Sequence, residues 1–176
     1  MADDVGTSKV RPIPEGYHSV TPYLICDGAA KAIEFYKKAF GTVEVVRMAM
    51  PNGKLGHAEI KIGDSYINLA DEHPESGVRS PKSYGGSPIS VLLYVENTDA
   101  TVAQFVSAGG TITRPIKDEF YGDRAATVVD PFGHTWYIHS HIKDTFTFKA
   151  RCDFIRERII NINWIFNNSR FYSAFN

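Results

Sequence analysis

The middle of this sequence repeats itself. A shift of 69 residues lays Leu24 on Leu93, Ile33 on Val102, Tyr36 on Phe105, Ala39 on Ala108, Gly41 on Gly110 and Thr42 on Thr111. Apolar helix positions and a terminating glycine coincide, so both halves carry one order of elements. In the first half, 18–26 reads as a strand and 29–40 as an amphipathic helix closed by Gly41. Strands follow at 43–49, 55–62 and 65–70, with Gly63 and Asp64 as a hairpin turn. Residues 71–87, rich in Pro, Gly, Ser and Glu, read as a connecting loop. In the second half, 89–95 reads as a strand and 98–108 as a helix capped by Asn97 or Thr98. Strands at 111–115, 124–129 and 134–140 complete it, with Asp130, Pro131, Phe132 and Gly133 as a turn. Each half is therefore a βαβββ unit. Its helix covers one face of its sheet, and the other face must meet a second module or border a cavity. An ordinary α+β sandwich with a coincidental shift is the plainer alternative.

Composition narrows the partners. The 176 residues are 43% hydrophobic and 22% charged, ordinary for a globular chain that can bury a core. A net charge of −1 gives no general attraction to nucleic acid or anionic lipid. No apolar stretch is long enough to span a bilayer. Cys26 and Cys152 form neither a disulfide framework nor a metal-ligand spacing. Residues 1–16 lack an apolar run and read as a disordered arm, which leaves a cytoplasmic protein as the expectation.

Three segments carry a resemblance: VTPYLICDGAAKAIEFYKKAFG at 20–41, HAEIKIGDSYINLADE at 57–72 and FYGDRAATVVDPFGHTWYI at 120–138. They resemble the vicinal-oxygen-chelate superfamily, in particular the PhnB-type branch of the glyoxalase/bleomycin-resistance proteins. The resemblance runs from about Tyr17 to Asp144, so 17–145 is expected to be one paired βαβββ domain. It implies an α+β fold of two modules with curved mixed sheets. It also implies a homodimer whose cavity is completed by the partner chain, and a small organic ligand. Family activities include isomerisation or ring-opening at a divalent metal, thiol addition to an antibiotic, and drug sequestration without metal.

The resemblance places four ligand positions of metal-dependent relatives at Thr21, Asn68, Ser90 and Tyr137, related in pairs by the same shift of 69. None is a histidine or carboxylate, and a divalent ion needs several strong donors converging at about 2 Å. No metal or other cofactor is therefore expected. His57 and Glu59 share one strand face and form an alternative ligand pair; the competing reading is a solvated face continued by Lys61. In place of a metal, strand parity points Thr21, Tyr23 and Ile25 inward, with Val20 and Leu24 against the helix. Ser90, Leu92, Tyr94, Tyr66, Asn68 and Tyr137 face the same cavity, whose tyrosines and hydroxyls suit a flat or amphipathic molecule. Trp136 falls on the opposite parity and is expected behind the sheet. His139 shares parity with Tyr137 and is either a general base or a structural hydrogen-bond donor. Tyr121 and Arg124 stand at the mouth; Arg124 either binds a ligand carboxylate or pairs with Asp123 or Asp118.

Residues 146–176 depart from this pattern. They hold Lys149, Arg151, Arg156, Arg158 and Arg170 against Asp153 and Glu157, with many Ile, Asn and Phe. Three readings stand for this atypical extension: an extra helix, a basic aromatic surface segment, or a non-native read-through. The leading functional expectation is a metal-independent protein that sequesters a drug or metabolite. The alternative is a lyase, isomerase or dioxygenase with a displaced metal site at His57 and Glu59, or with metal-free acid–base chemistry by His139 and Tyr137.

Overall fold

The computed structural model describes residues 10–145. The C-terminal extension and the first nine residues of the arm lie outside the described residues. The first module runs β1 (Tyr23–Cys26), α1 (Ala29–Phe40), β2 (Val43–Ala49), β3 (Leu55–Ile62) and β4 (Ser65–Asp71). A 3-10 turn (Pro74–Ser76) and a short helix α2 (Pro81–Tyr84) occupy the connection. The second module runs β5 (Ser90–Tyr94), α3 (Thr98–Ser107), β6 (Thr111–Asp118), β7 (Asp123–Val129) and β8 (Thr135–His141).

Each module makes one four-stranded mixed sheet, ordered β1-β4-β3-β2 and β5-β8-β7-β6. The repeat extends to register. Tyr23 opposes Asn68 in the parallel β1–β4 pair, and their counterparts Leu92 and Tyr137 oppose each other in β5–β8. The expectation of two βαβββ modules thus holds in element order and pairing.

Both helices form for legible reasons. In α1, Ala32, Ile33, Phe35, Tyr36 and Ala39 make a buried stripe, and Gly41 closes it at φ 67°, a conformation that costs glycine little. Its N-terminus lacks its own side-chain cap. Asp71 from the end of β4 substitutes, accepting from the N–H groups of Gly28 (3.0 Å) and Ala29 (2.8 Å), and from Leu55 N–H (2.7 Å). Asn97 caps α3 by accepting from Ala100 N–H.

The helix-bearing faces of both sheets converge on one core. Phe35 meets Phe105 at 5.1 Å, while Tyr36 and Phe40 pack on Trp136 at 5.5 and 4.9 Å between ring centroids. Trp136 is fully buried, as its parity required. A carboxylate locks the junction: Asp130 accepts from the Tyr36 hydroxyl (2.6 Å), the Trp136 indole N–H (3.0 Å) and the backbone N–H of Phe132 and His134 (2.9 Å each). The Asp130–Gly133 turn therefore ties α1 of one module to β8 of the other.

Three expectations need correction. The first strand spans Tyr23–Cys26 only, because Pro22 has no N–H for the ladder and serves solely as an acceptor for Asn68 N–H (2.9 Å). Val20, ahead of the strand, is 83% exposed and does not pack on the helix. The connection expected as plain loop is pinned by Glu72, which accepts from Ser80 N–H and Ser83 Oγ and so holds α2 in place.

Candidate functional site

With the helix faces joined, the other faces of the two sheets turn away from the core. Their large side chains are open: Tyr23 is 49% exposed, Leu92 49%, Tyr94 56% and Tyr137 40%. Each face carries a polar network built by strand parity.

On the first face, Tyr23, Asn68 and Glu59 stand side by side across β1, β4 and β3. His57 lies two residues from Glu59 on the same strand face and bridges the row. Its Nε2 meets Glu59 Oε1 at 3.1 Å, and its Nδ1 meets the Tyr23 hydroxyl at 2.9 Å. One tautomer satisfies both contacts, with Nε2–H donating to the carboxylate and Nδ1 accepting from the phenol. Tyr17 also donates to Glu59, and its ring stacks on Tyr66 at 4.3 Å. Hydrogen bonds from Tyr17 and His57 hold the Glu59 carboxyl below the usual carboxylate range. Burial and the Glu59 hydrogen bond push the Tyr17 phenol up to about 12. The Asn68 side-chain oxygen is enclosed without a hydrogen-bond partner among the described residues.

On the second face, Asp123 at the start of β7 is the hub. It accepts from the Tyr94 hydroxyl (2.9 Å), His139 Nδ1 (3.2 Å) and His141 Nδ1 (2.8 Å). Burial raises the Asp123 carboxyl, but the three donors outweigh it and hold it below its ordinary value. His141 also meets Asp144 Oδ1 at 3.0 Å through Nε2, and the Asp123 and Asp144 contacts raise its pKa. Tyr121 stacks on His139 at 6.3 Å, and Tyr137 tilts toward the same ring at 6.4 Å.

The structure therefore gathers Tyr23 and Asn68 on one face, and Ser90, Leu92, Tyr121, Tyr137 and His139 on the other. Thr21 precedes β1 and faces the seam between modules. There a cavity of about 320 Å³ is shared by Thr21, Tyr66, Leu92 and Tyr94. Arg124 stands apart. It lies on the helix side of β7, where Asp99 binds it through both carboxylate oxygens and Asp118 at 2.7 Å. These contacts raise the guanidinium pKa and commit its charge to the protein itself. Arg124 thus pairs within the protein, with Asp99 and Asp118.

His57 and Glu59 lie on the part-exposed side of β3 with Lys61, and Tyr23 and Asn68 share that side of the sheet. The sequence reading missed Asp123 as the hub and treated it only as a partner for Arg124. Parity could have found it: Asp123 stands opposite His141, and Ala125 on the same face stands opposite His139.

The residues at Thr21, Asn68, Ser90 and Tyr137 do not fit a divalent metal. They offer two hydroxyls, an amide and a phenol, with no imidazole or carboxylate. Among the described residues, no group of three or more His, Cys, Asp or Glu side chains is arranged to hold a metal ion.

Known proteins share this architecture. A sequence profile of the Glyoxalase/Bleomycin resistance protein/Dioxygenase superfamily matches residues 16–138. An uncharacterized protein of Mycobacterium tuberculosis is 39% identical over 129 residues, covering 72% of this chain and 76% of its own. The crystal structure of an Arabidopsis thaliana gene product superposes with a TM-score of 0.56 at 26% identity, covering 69% of this chain and 98% of its own. A Bacillus cereus structure titled putative 3-demethylubiquinone-9 3-methyltransferase, PhnB protein, has a TM-score of 0.54 at 18% identity. It covers 70% of this chain and 99% of its own.

Proposed function

Because the chain belongs to the glyoxalase/bleomycin resistance protein/dioxygenase superfamily, we propose that it is a metal-independent binding protein of the PhnB-type branch that sequesters a small organic molecule. The observation that carries this reading is the donor chemistry of the two open faces and of the seam between them. Where metal ligands would stand there are Thr21, Asn68, Ser90 and Tyr137, set among Tyr23, Leu92, Tyr94, Tyr121 and His139. Such surfaces offer aromatic walls and a few fixed hydrogen-bonding groups.

A homodimer belongs to the same reading. Two sheet faces that leave Tyr23, Leu92, Tyr94 and Tyr137 this exposed lower their free energy by meeting a second copy, which would also enclose the ligand. A cytoplasmic setting goes with it; among the described residues Cys26 is a free buried thiol.

A second reading, catalysis, is supported by the hydrogen-bonded relays themselves. Tyr23–His57–Glu59 and Tyr94–Asp123–His139 each join an imidazole to a carboxylate and a phenol, the parts of metal-free acid–base chemistry. Metal analysis after dialysis, together with a thermal-shift screen of aromatic antibiotics, 2-oxoaldehydes and phosphonates, separates the readings. Ligand-dependent stabilisation with no stoichiometric metal supports the binding protein. A retained divalent ion whose removal destroys ligand binding overturns it. Turnover of a screened compound that His57→Ala abolishes favours the enzyme.

A further inference from the structure

A second cavity, of about 280 Å³, lies at the end of the module seam where β1 approaches the connection and β5. Its walls include Pro22, Ile25, Pro81, Pro88 and Val91. Three prolines fix much of that wall, so it is formed before any ligand arrives. Arg79 and Tyr84 stand at the mouth. Both are exposed, and Tyr84 turns a ring that is 67% accessible toward solvent. Arg79 makes no salt bridge to any described residue, unlike Arg47, Arg114 and Arg124, each of which pairs with an acid.

The other polar groups nearby are committed. Glu72 accepts from Ser80 N–H and Ser83 Oγ, which hold its carboxyl down to about 2, and Glu75 contacts His73 Nδ1 at 3.3 Å. His134, also in the lining, contacts the Ile25 carbonyl through Nε2 at 3.1 Å. Burial lowers its pKa, so the ring sits in the wall uncharged. The cavity is therefore an apolar slot with a single formal charge, a guanidinium at its mouth.

We infer that this slot is a binding site for a small aromatic carboxylate, whose ring lies between the prolines and whose carboxylate meets Arg79. A guanidinium presents paired N–H groups that match a carboxylate, and it lets the ligand keep its charged end hydrated. The site is distinct from the open-face reading above: Tyr23 borders both, and Pro22 and Val91 also line the seam cavity beside Thr21. It stands if that reading fails.

The experiment uses the full-length protein and 1-naphthoate, with the uncharged 1-naphthamide as its partner probe. Isothermal titration and methyl NMR are followed for wild type, Arg79→Gln and Arg79→Lys. Arg79 has no structural partner among the described residues, so these variants should fold. The expected result is one saturable site per chain, with shifts at the Ile25, Ile89 and Val91 methyls. Arg79→Gln should weaken 1-naphthoate about two- to fivefold, the scale of an exposed ion pair, and leave 1-naphthamide unchanged. Arg79→Lys should recover part of the loss. Three results overturn the proposal: no saturable binding of 1-naphthoate, shifts confined to open-face methyls such as Leu92, or equal affinity of the wild type and Arg79→Gln for the acid.

Discussion

Replacing Asp130 with asparagine tests the junction on which the geometry of both faces depends. One carboxylate oxygen accepts from Tyr36 and Trp136, and the other from the N–H groups of Phe132 and His134. Tyr36 and Trp136 are both 0% exposed, so water cannot replace a lost partner. Asparagine has one oxygen. In either orientation, its NH₂ faces two donors. At roughly 1–3 kcal/mol per stranded buried donor, the substitution should cost about 2–6 kcal/mol. That is a large part of the 5–15 kcal/mol, roughly, that holds a typical domain together. Urea unfolding followed by tryptophan fluorescence and far-UV circular dichroism reads the loss directly. Tyr36→Phe supplies the control. It removes one donor and should cost much less in the Asp130→Asn background than in wild type, giving a coupling energy of about 1–3 kcal/mol. An Asp130→Asn protein within about 0.5 kcal/mol of wild type, or additive effects of the two changes, would refute the reasoning.

Three further outcomes are expected. Gly122 sits at φ 95°, and an added Cβ would lie 1.9 Å from the Lys143 carbonyl oxygen, so Gly122→Ala should lower the melting temperature and displace Tyr121 and Asp123 in NMR spectra. The Arg47 and Lys37 hydrogen bonds hold the Glu44 carboxyl at about 2, against an ordinary 4.5. A depressed carboxylate stabilises the fold above the unfolded value and loses that contribution as pH falls toward the folded one. The stability advantage of wild type over Glu44→Gln should therefore shrink between those two values, as read by urea midpoints across the window. Arg124→Gln removes ion pairs on the helix side of β7, so it should shift the thermal midpoint slightly and leave open-face ligand affinity unchanged in titration.

Much of the fold was legible because hydrophobic periodicity is a local signal. The spacing of Ile33, Phe35, Tyr36 and Ala39 specifies a helix with one buried side, and Gly41 its end. Alternation in β3 separates buried Ala58, Ile60 and Ile62 from His57, Glu59 and Lys61 on the other face. Where sequence reading went astray, a backbone or charge effect outweighed the pattern. Pro22 shortened the first strand, and Asp99, distant in sequence, supplied the bidentate partner of Arg124. Asp130 reads as a turn residue, yet its carboxylate joins two modules. Nothing in Asp-Pro-Phe-Gly announces Tyr36 as a partner 94 residues away in sequence.

The sequence by itself determined two similar modules, the face each strand residue takes, and the lack of strong metal donors at the four expected positions. These follow from local spacing and residue chemistry, which need no knowledge of how the modules meet. Only the tertiary structure decided that the helices join at the centre, that the tyrosine-bearing faces turn outward, and that His57 and Asp123 each bind a phenol across strands. Those outcomes depend on contacts between distant segments, above all the packing of α1 on Trp136 and the four donors gathered by Asp130.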